Sequence, residues 1–384
     1  MENGEVTRLS LRYRGLTALP TSLSLHQLSS LRVLDLTGNR LTALPEELGS
    51  LEQLQELYLD DNQITTLPHV LGKLVNLRAL HVDMNRLSVL PSSLYHLPRL
   101  ETLRLYKNRL TNLPADIGRL QGLRDFSVGK NQLTSLPESL WELGRLQALN
   151  LAENQLSSLS ERIGQLTQLQ MLDAGHNQLT TLPESLGQLT NLTHYLYLSN
   201  NRLTTLSESL FAHLTQLAYL NITDNQLTEL PRSLGCLTNL KELRIYNNQL
   251  ATLPEELGNL AALRELHAMN NRLETLPDSL GKLKQLRELR LANNRLARLP
   301  TYLGELANLT SLDLRNNLLA SLPASLDNLA KLRALDLRAN RLTTLPPGLQ
   351  RLQHLEKLDL RWLKLSPLPT WLDQLEQRGC TVLL

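Results

Sequence analysis

Cysteine is almost missing from this chain of 384 residues: only Cys236 and Cys380 occur. They lie far apart in sequence, which excludes the paired disulfide caps common on extracellular repeat proteins. An excess of either charge is missing as well. With 39 basic against 37 acidic residues, there is no global field to recruit nucleic acid or a membrane surface, so neither is an expected partner. Long apolar runs are absent too, since no stretch approaches the roughly 18 uninterrupted apolar residues of a membrane span. The opening octet, Met-Glu-Asn-Gly-Glu-Val-Thr-Arg, carries no apolar signal-peptide core. A reducing, cytoplasmic setting is therefore expected, and the Asn-x-Thr triplets at Asn191, Asn221 and Asn308 are coincidences rather than glycosylation sites. Motifs for chemistry are equally scarce. There is no Cys-x-x-Cys and no glycine-rich loop leading from a strand into a helix, so neither an enzyme nor a bound cofactor is expected.

What the chain does contain is a period. Asparagine recurs at Asn39, Asn62, Asn85, Asn108, Asn131, Asn154, Asn177, Asn201, Asn225, Asn248, Asn271, Asn294, Asn317 and Asn340. The spacing is 23 residues except for two steps of 24, from Asn177 to Asn201 and from Asn201 to Asn225. A fixed period this short predicts a solenoid in which each turn contacts only its neighbours. Within one turn, Leu57 and Leu59 flank Tyr58 in strand alternation, so the leucines point inward while Glu56, Tyr58 and Asp60 face out. Leu71, Leu74 and Leu77 recur every third residue, which suits a 3₁₀ turn or an extended segment, and Pro68 fixes the entry. The asparagine closes the strand, where an amide that both donates and accepts can satisfy backbone groups of adjacent turns. Stacked amides predict a ladder, broken at its ends by Arg14 and Leu363.

Units such as residues 44–64, Leu-Pro-Glu-Glu-Leu-Gly-Ser-Leu-Glu-Gln-Leu-Gln-Glu-Leu-Tyr-Leu-Asp-Asp-Asn-Gln-Ile, resemble the 23-residue leucine-rich repeat. The variant is similar to that of intracellular Ras-group and Scribble-type proteins and their bacterial relatives. The resemblance implies an α/β solenoid: a right-handed leucine-rich-repeat superhelix of about 16 repeats. It also implies a concave parallel β-sheet and a convex side of 3₁₀ turns and extended segments. A single domain, residues 1–384, is expected, with strand repeats over 6–363 and a C-terminal cap over 364–384. In the cap, residues 371–377 read as a short amphipathic helix, Gly379 as its stop and residues 381–384 as a closing strand. A capped end of this kind argues against a truncated fragment. Departures from the template cluster mid-chain. Ser160 and Ser207 replace the usual proline, one extra residue precedes the strand near His194, and another falls between Phe211 and His213. Curvature or twist is expected to shift there.

Of nine tyrosines, seven fall on outward strand positions or just after them: Tyr13, Tyr58, Tyr106, Tyr195, Tyr197, Tyr219 and Tyr246. Tyr95 and Tyr302 lie on the outer arc. Tyrosine and arginine most often anchor protein interfaces, although β-propensity alone also puts tyrosine on strands. Two patches result. The first holds Tyr58, His81, Asp83, Arg104 and Tyr106, beside Asp60. The second holds Tyr195, Tyr197, Tyr219, Asn221, Arg244, Tyr246, His267, Met269 and Arg290, and the strongest energetics are expected there. Between them Ser127, Gly129, Asn150, Ala152 and Gly175 leave a shallow stretch.

Asp60, His81 and Asp83 could be drawn as a metal site, but they read better as an exposed acidic cluster relieved by His81 and Arg104. Cys236 reads as a filler on the outer arc. Three repeats carry Leu-Asp-Leu-Arg, pairing Asp313 with Arg315, Asp336 with Arg338 and Asp359 with Arg361, and these read as a self-neutralised ladder of exposed pairs. The expected function is a noncatalytic module or scaffold, monomeric, that binds an unidentified protein on its concave face. The alternatives are a secreted bacterial effector gripping a host protein, and a regulator that recruits substrate to a separate catalytic chain.

Overall fold

Three-residue strands follow from the Leu-x-Leu pattern, because alternation sends both leucines to one face and the residue between them to the other. In the computed structural model, which describes residues 5–20 and 23–384, Leu57 and Leu59 are fully buried. The polar opening, residues 1–4, lies outside the described residues.

The chain divides into two units, Met1–Leu179 and Thr180–Leu384. In the first, eight parallel strands among the described residues run from Arg8–Ser10 to Met171–Asp173. Their register aligns the inward residues Leu34, Leu57, Leu80, Leu103, Phe126, Leu149 and Leu172 in one column. In the second unit, nine parallel strands run from Tyr195–Tyr197 to Thr381–Leu383, aligning Leu196, Leu220, Leu243, Leu266, Leu289, Leu312, Leu335 and Leu358. Each unit is a leucine-rich-repeat stack in which the buried column is shared between neighbouring turns.

The opposite side of most turns is a short 3₁₀ helix, as the triplet spacing predicts. His69–Lys73 is typical: it follows Pro68, held at φ −70° and ψ 148°. Where Ser160 stands in place of proline it adopts nearly the same backbone, φ −71° and ψ 147°, and its hydroxyl accepts from Arg162 N. Around Ser207 the substitution is accompanied by the extra residue, and turns replace the 3₁₀ helix.

The asparagine ladder forms. Asn85 Nδ2 donates to Leu59 O at 2.9 Å in the preceding turn and to Val82 O in its own, while its Oδ1 accepts from Ile64 N at 3.0 Å. The residue before each of these asparagines is left-handed, from Asp61 at φ 52° to Ala339 at φ 51°. Seven of these positions hold Asn or Asp, the side chains that best tolerate such backbone: Asp61, Asn200, Asp224, Asn247, Asn270, Asn293 and Asn316. At the C-terminus a helix over Leu372–Gln377 stops at Gly379, φ 89°, and Thr381–Leu383 closes the sheet against Lys357–Asp359. No helix is long and apolar enough to cross a membrane among the described residues.

Candidate protein-binding strand faces

In the first unit the register places Tyr58, His81 and Arg104 side by side on three adjacent strands. The Tyr58 and His81 rings meet at 4.8 Å between centroids, and the Tyr58 hydroxyl donates to Glu56 at 2.9 Å. Two residues on, the carboxylates face backbone rather than solvent. Asp60 Oδ1 accepts from Asp83 N at 2.8 Å, and Asp83 Oδ1 accepts from Tyr106 N at 2.6 Å. Burial pushes both carboxyls up, Asp83 to about 6, and pushes His81 down although Asp60 opposes that shift. The expected exposed acidic cluster is thus corrected: Asp60 and Asp83 are half-buried and act as links between turns. His81 Nδ1 lies 3.9 Å from Asp60, as expected, whereas Arg104 pairs at 2.6 Å with Asp125.

Tyr106 leans along the face. Its hydroxyl donates to Glu153 at 2.9 Å, Glu153 also pairs with Lys130 at 2.7 Å, and a Cβ on Gly129 would come 3.1 Å from the Tyr106 ring. Part of the stretch expected to be shallow is therefore covered by Tyr106, for which Gly129 leaves the space.

In the second unit, Tyr195 and Tyr197 lie on one strand with their rings stacked at 4.5 Å and 21°. Register sets Tyr219 beside Tyr195 and Asn221 beside Tyr197 and Arg244. Tyr197, Tyr219, Leu220, Asn221, Glu242 and Arg244 line a small cavity of about 110 Å³. The Asn221 carboxamide is partly committed, since its Oδ1 accepts from Thr223 N at 3.1 Å. Tyr246 and Met269 are half-buried, whereas Arg244 and Arg290 are exposed and each reaches a glutamate of its own strand, Glu242 and Glu288. His267 departs from the expectation of display. It is buried, with Nε2 at 3.0 Å from Glu265 and 3.8 Å from Glu288. Among the described residues, Glu242, Glu265 and His267 bring three donor atoms within 4.8 Å of one another. Because these residues are spread over 26 positions of sequence, only the register brings them together.

The Asp and Arg columns do pair, but not as a wholly exposed ladder. Asp359 is 1% exposed and takes Arg361 at 2.7 Å and Arg338 at 3.2 Å, while Arg338 also holds Asp336 at 2.6 Å. Burial alone would raise the Asp359 carboxyl; the hydrogen bonds from Arg361, with the charges of Arg338 and Arg361, together outweigh it and hold the group low. Trp362, exposed and at φ 64°, receives the faces of both Arg338 and Arg361 within 6 Å, at 5.9 and 5.7 Å. That aromatic end was not anticipated from sequence; a tryptophan in the left-handed column was its one signal. Cys236 is exposed, as expected, and Cys380 is buried.

A family profile described as a leucine-rich repeat region matches residues 9–124, 193–292 and 274–377, and two further leucine-rich-repeat profiles match 98–156 and 167–208. No curated protein matches the chain. Among solved structures, an LRR protein of Leptospira interrogans is similar at 33% identity and TM-score 0.84, covering 99% of this chain and 96% of that one. YopM, a leucine-rich effector protein of Yersinia pestis, is similar at 31% identity and TM-score 0.70, covering 93% and 88%. An internalin of Listeria monocytogenes follows at 28% identity and TM-score 0.71, covering 81% and 87%.

Proposed function

This chain belongs to the leucine-rich repeat family, and from that premise we propose that it is a noncatalytic interaction module gripping a partner protein on the strand face of its second unit. Proteins of this family generally mediate protein-protein interaction, and the fold is typically noncatalytic. The observation that carries the site assignment is the cavity walled by Tyr197 and Tyr219, with Arg244 and Glu242 at its rim. Rigid amphipathic rings beside a guanidinium supply contact area at low entropy cost, which is the composition of interface hot spots. The first-unit patch contributes less, because its carboxylates and Tyr106 are spent on contacts within the array.

The test is proximity labelling in the native cell, with the intact chain compared with the triple variant Tyr197→Ala, Tyr219→Ala, Tyr246→Ala. A partner captured by the parent and lost from the variant, at unchanged unfolding midpoint, is the expected result. Capture that persists at the parental level overturns the site. The likeness to YopM favours a second reading, a secreted bacterial effector acting on a host protein. Fusing the first 30 residues to a translocation reporter tests it: delivery supports that reading, and retention rejects it.

A further inference from the structure

Three adjacent strands of the second unit, Glu242–Arg244, Glu265–His267 and Glu288–Arg290, put one column of carboxylates beside one column of bases. On the outer two strands the base is arginine, and each arginine reaches the glutamate of its own strand. The middle strand has histidine instead. Among the described residues no lysine or arginine pairs with Glu265; its partner is His267, a base that is neutral when its Nε2 presents a lone pair. Side chains on adjacent strands stand about 4.8 Å apart, so the Glu265 carboxylate sits between two others without a fixed counter-charge of its own. A cation held between the columns would relieve that repulsion.

We propose that Glu242, Glu265 and His267 form a binding site for a divalent first-row transition-metal ion of the Zn²⁺ or Co²⁺ type. Two observations support it independently of charge. The three donor atoms already lie within 4.8 Å of one another, and ligands around such an ion need to be about 3.4 Å apart, so modest rotations of the two glutamates suffice. His267 is also buried, with Nε2 rather than Nδ1 turned toward the glutamates, so the nitrogen that would ligate is held in place before any ion arrives. The outer arginines orient Glu242 and Glu288 in the same way. One imidazole and two carboxylates suit Zn²⁺, Co²⁺ or Mn²⁺ better than Ca²⁺ or Mg²⁺, which take six or more oxygens or several waters. Three protein ligands leave a position open on the exposed side of the sheet, for water or for a donor atom of a bound protein.

The experiment is titration of the full chain, carrying Cys236→Ser to remove adventitious thiolate binding, with Co²⁺ followed by visible absorption and with Zn²⁺ followed by calorimetry. The expected result is one ion per chain, with affinity reduced at least tenfold in His267→Gln and in Glu265→Gln and unchanged in Glu274→Gln. Circular dichroism checks that each variant is folded. Ring resonances of His267 should broaden on adding Co²⁺ ahead of those of His81 and His194. Parental binding no tighter than that of His267→Gln overturns the site, as does broadening that leaves His267 untouched. In that case His267 serves only as a hydrogen-bond partner of Glu265 within its own strand.

Discussion

Asn270 Nδ2 donates to Asn247 Oδ1 at 2.6 Å, across neighbouring turns and in partly open solvent. The bond is one rung of a second ladder, in which Asn247 donates to Asp224, Asn293 to Asn270 and Asn316 to Asn293. Each member is left-handed, at φ 52° to 57°, so asparagine serves both the backbone and the rung. Asn270→Ala should cost about 1 to 2 kcal/mol, part from the lost rungs and part from leaving the left-handed backbone, φ 52°, to a Cβ without the polar side chain that eases it. Asn270→Gly removes only the first part. Urea unfolding of both should therefore find the glycine variant the more stable; equal midpoints would assign the whole effect to the rungs. Asn85→Ala, which strips partners from buried backbone groups, should cost more than either, about 3 kcal/mol.

Asp83 gives the pH dependence a definite sign. Its carboxyl is pushed up from 3.8 to about 6, chiefly by burial, so between those values the folded chain binds more protons than the unfolded one. Stability from this group is full below the unfolded pKa and falls as pH rises through the folded one. Asp83→Asn keeps an oxygen to accept from Tyr106 N and removes the charge. It should raise the urea midpoint at pH 7 and leave it unchanged near pH 3.5. A variant no more stable than the parent at pH 7 would contradict the burial argument.

The asparagine ladder and the strand alternation were legible because each is dictated by one position in the repeat, whatever its neighbours hold. Leu57, Asn62 and Pro68 can be read locally. Contacts between turns cannot. Tyr106 meets Glu153 across 47 positions of sequence, and nothing in either residue's neighbourhood tells which way the ring leans. His267 was readable as an outward strand residue, yet its burial and its place beside Glu265 and Glu288 depend on neighbouring turns. The left-handed column escaped notice for another reason: Met84, Lys107 and Trp362 occupy it alongside the asparagines, so composition alone obscures a shared backbone state.

The 3₁₀ side of the array sets a steric limit that two glycines separate. A Cβ on Gly258 would stand 2.5 Å from Ser279 O and 2.6 Å from Ser279 Cβ in the next turn, whereas one on Gly144 would meet nothing within 4 Å. Gly258→Ala should therefore destabilise by about 1 to 3 kcal/mol through overpacking. Gly144→Ala should be neutral or slightly stabilising, because it restricts the unfolded chain. Thermal unfolding of the pair checks the contrast. Equal effects would mean that the turns part freely to admit a methyl group.

Asp359 should behave as the mirror image of Asp83. Among the described residues it is the most buried carboxylate, at 1% exposure, but it is held by Arg361 and Arg338, and its pKa is lowered because the hydrogen bonds from Arg361 and the charges of both arginines together outweigh burial. Its stabilisation is present above the unfolded pKa and is lost as pH falls through the folded value. Asp359→Asn leaves two guanidinia facing a neutral amide, and with Arg361 partly exposed the loss at pH 7 should be about 2 kcal/mol, below the cost of breaking a fully buried pair. That loss should shrink as pH falls below 3.8, the ordinary value, toward the lowered folded one. The gain from Asp83→Asn should vanish at higher pH, as pH falls from about 6 toward 3.8, so the two variants' urea midpoints, plotted against pH, approach the parent from opposite sides and in successive windows. Loss in Asp359→Asn that persists unchanged into acid would mean that the carboxylate's shape and packing, rather than its charge, hold the two arginines.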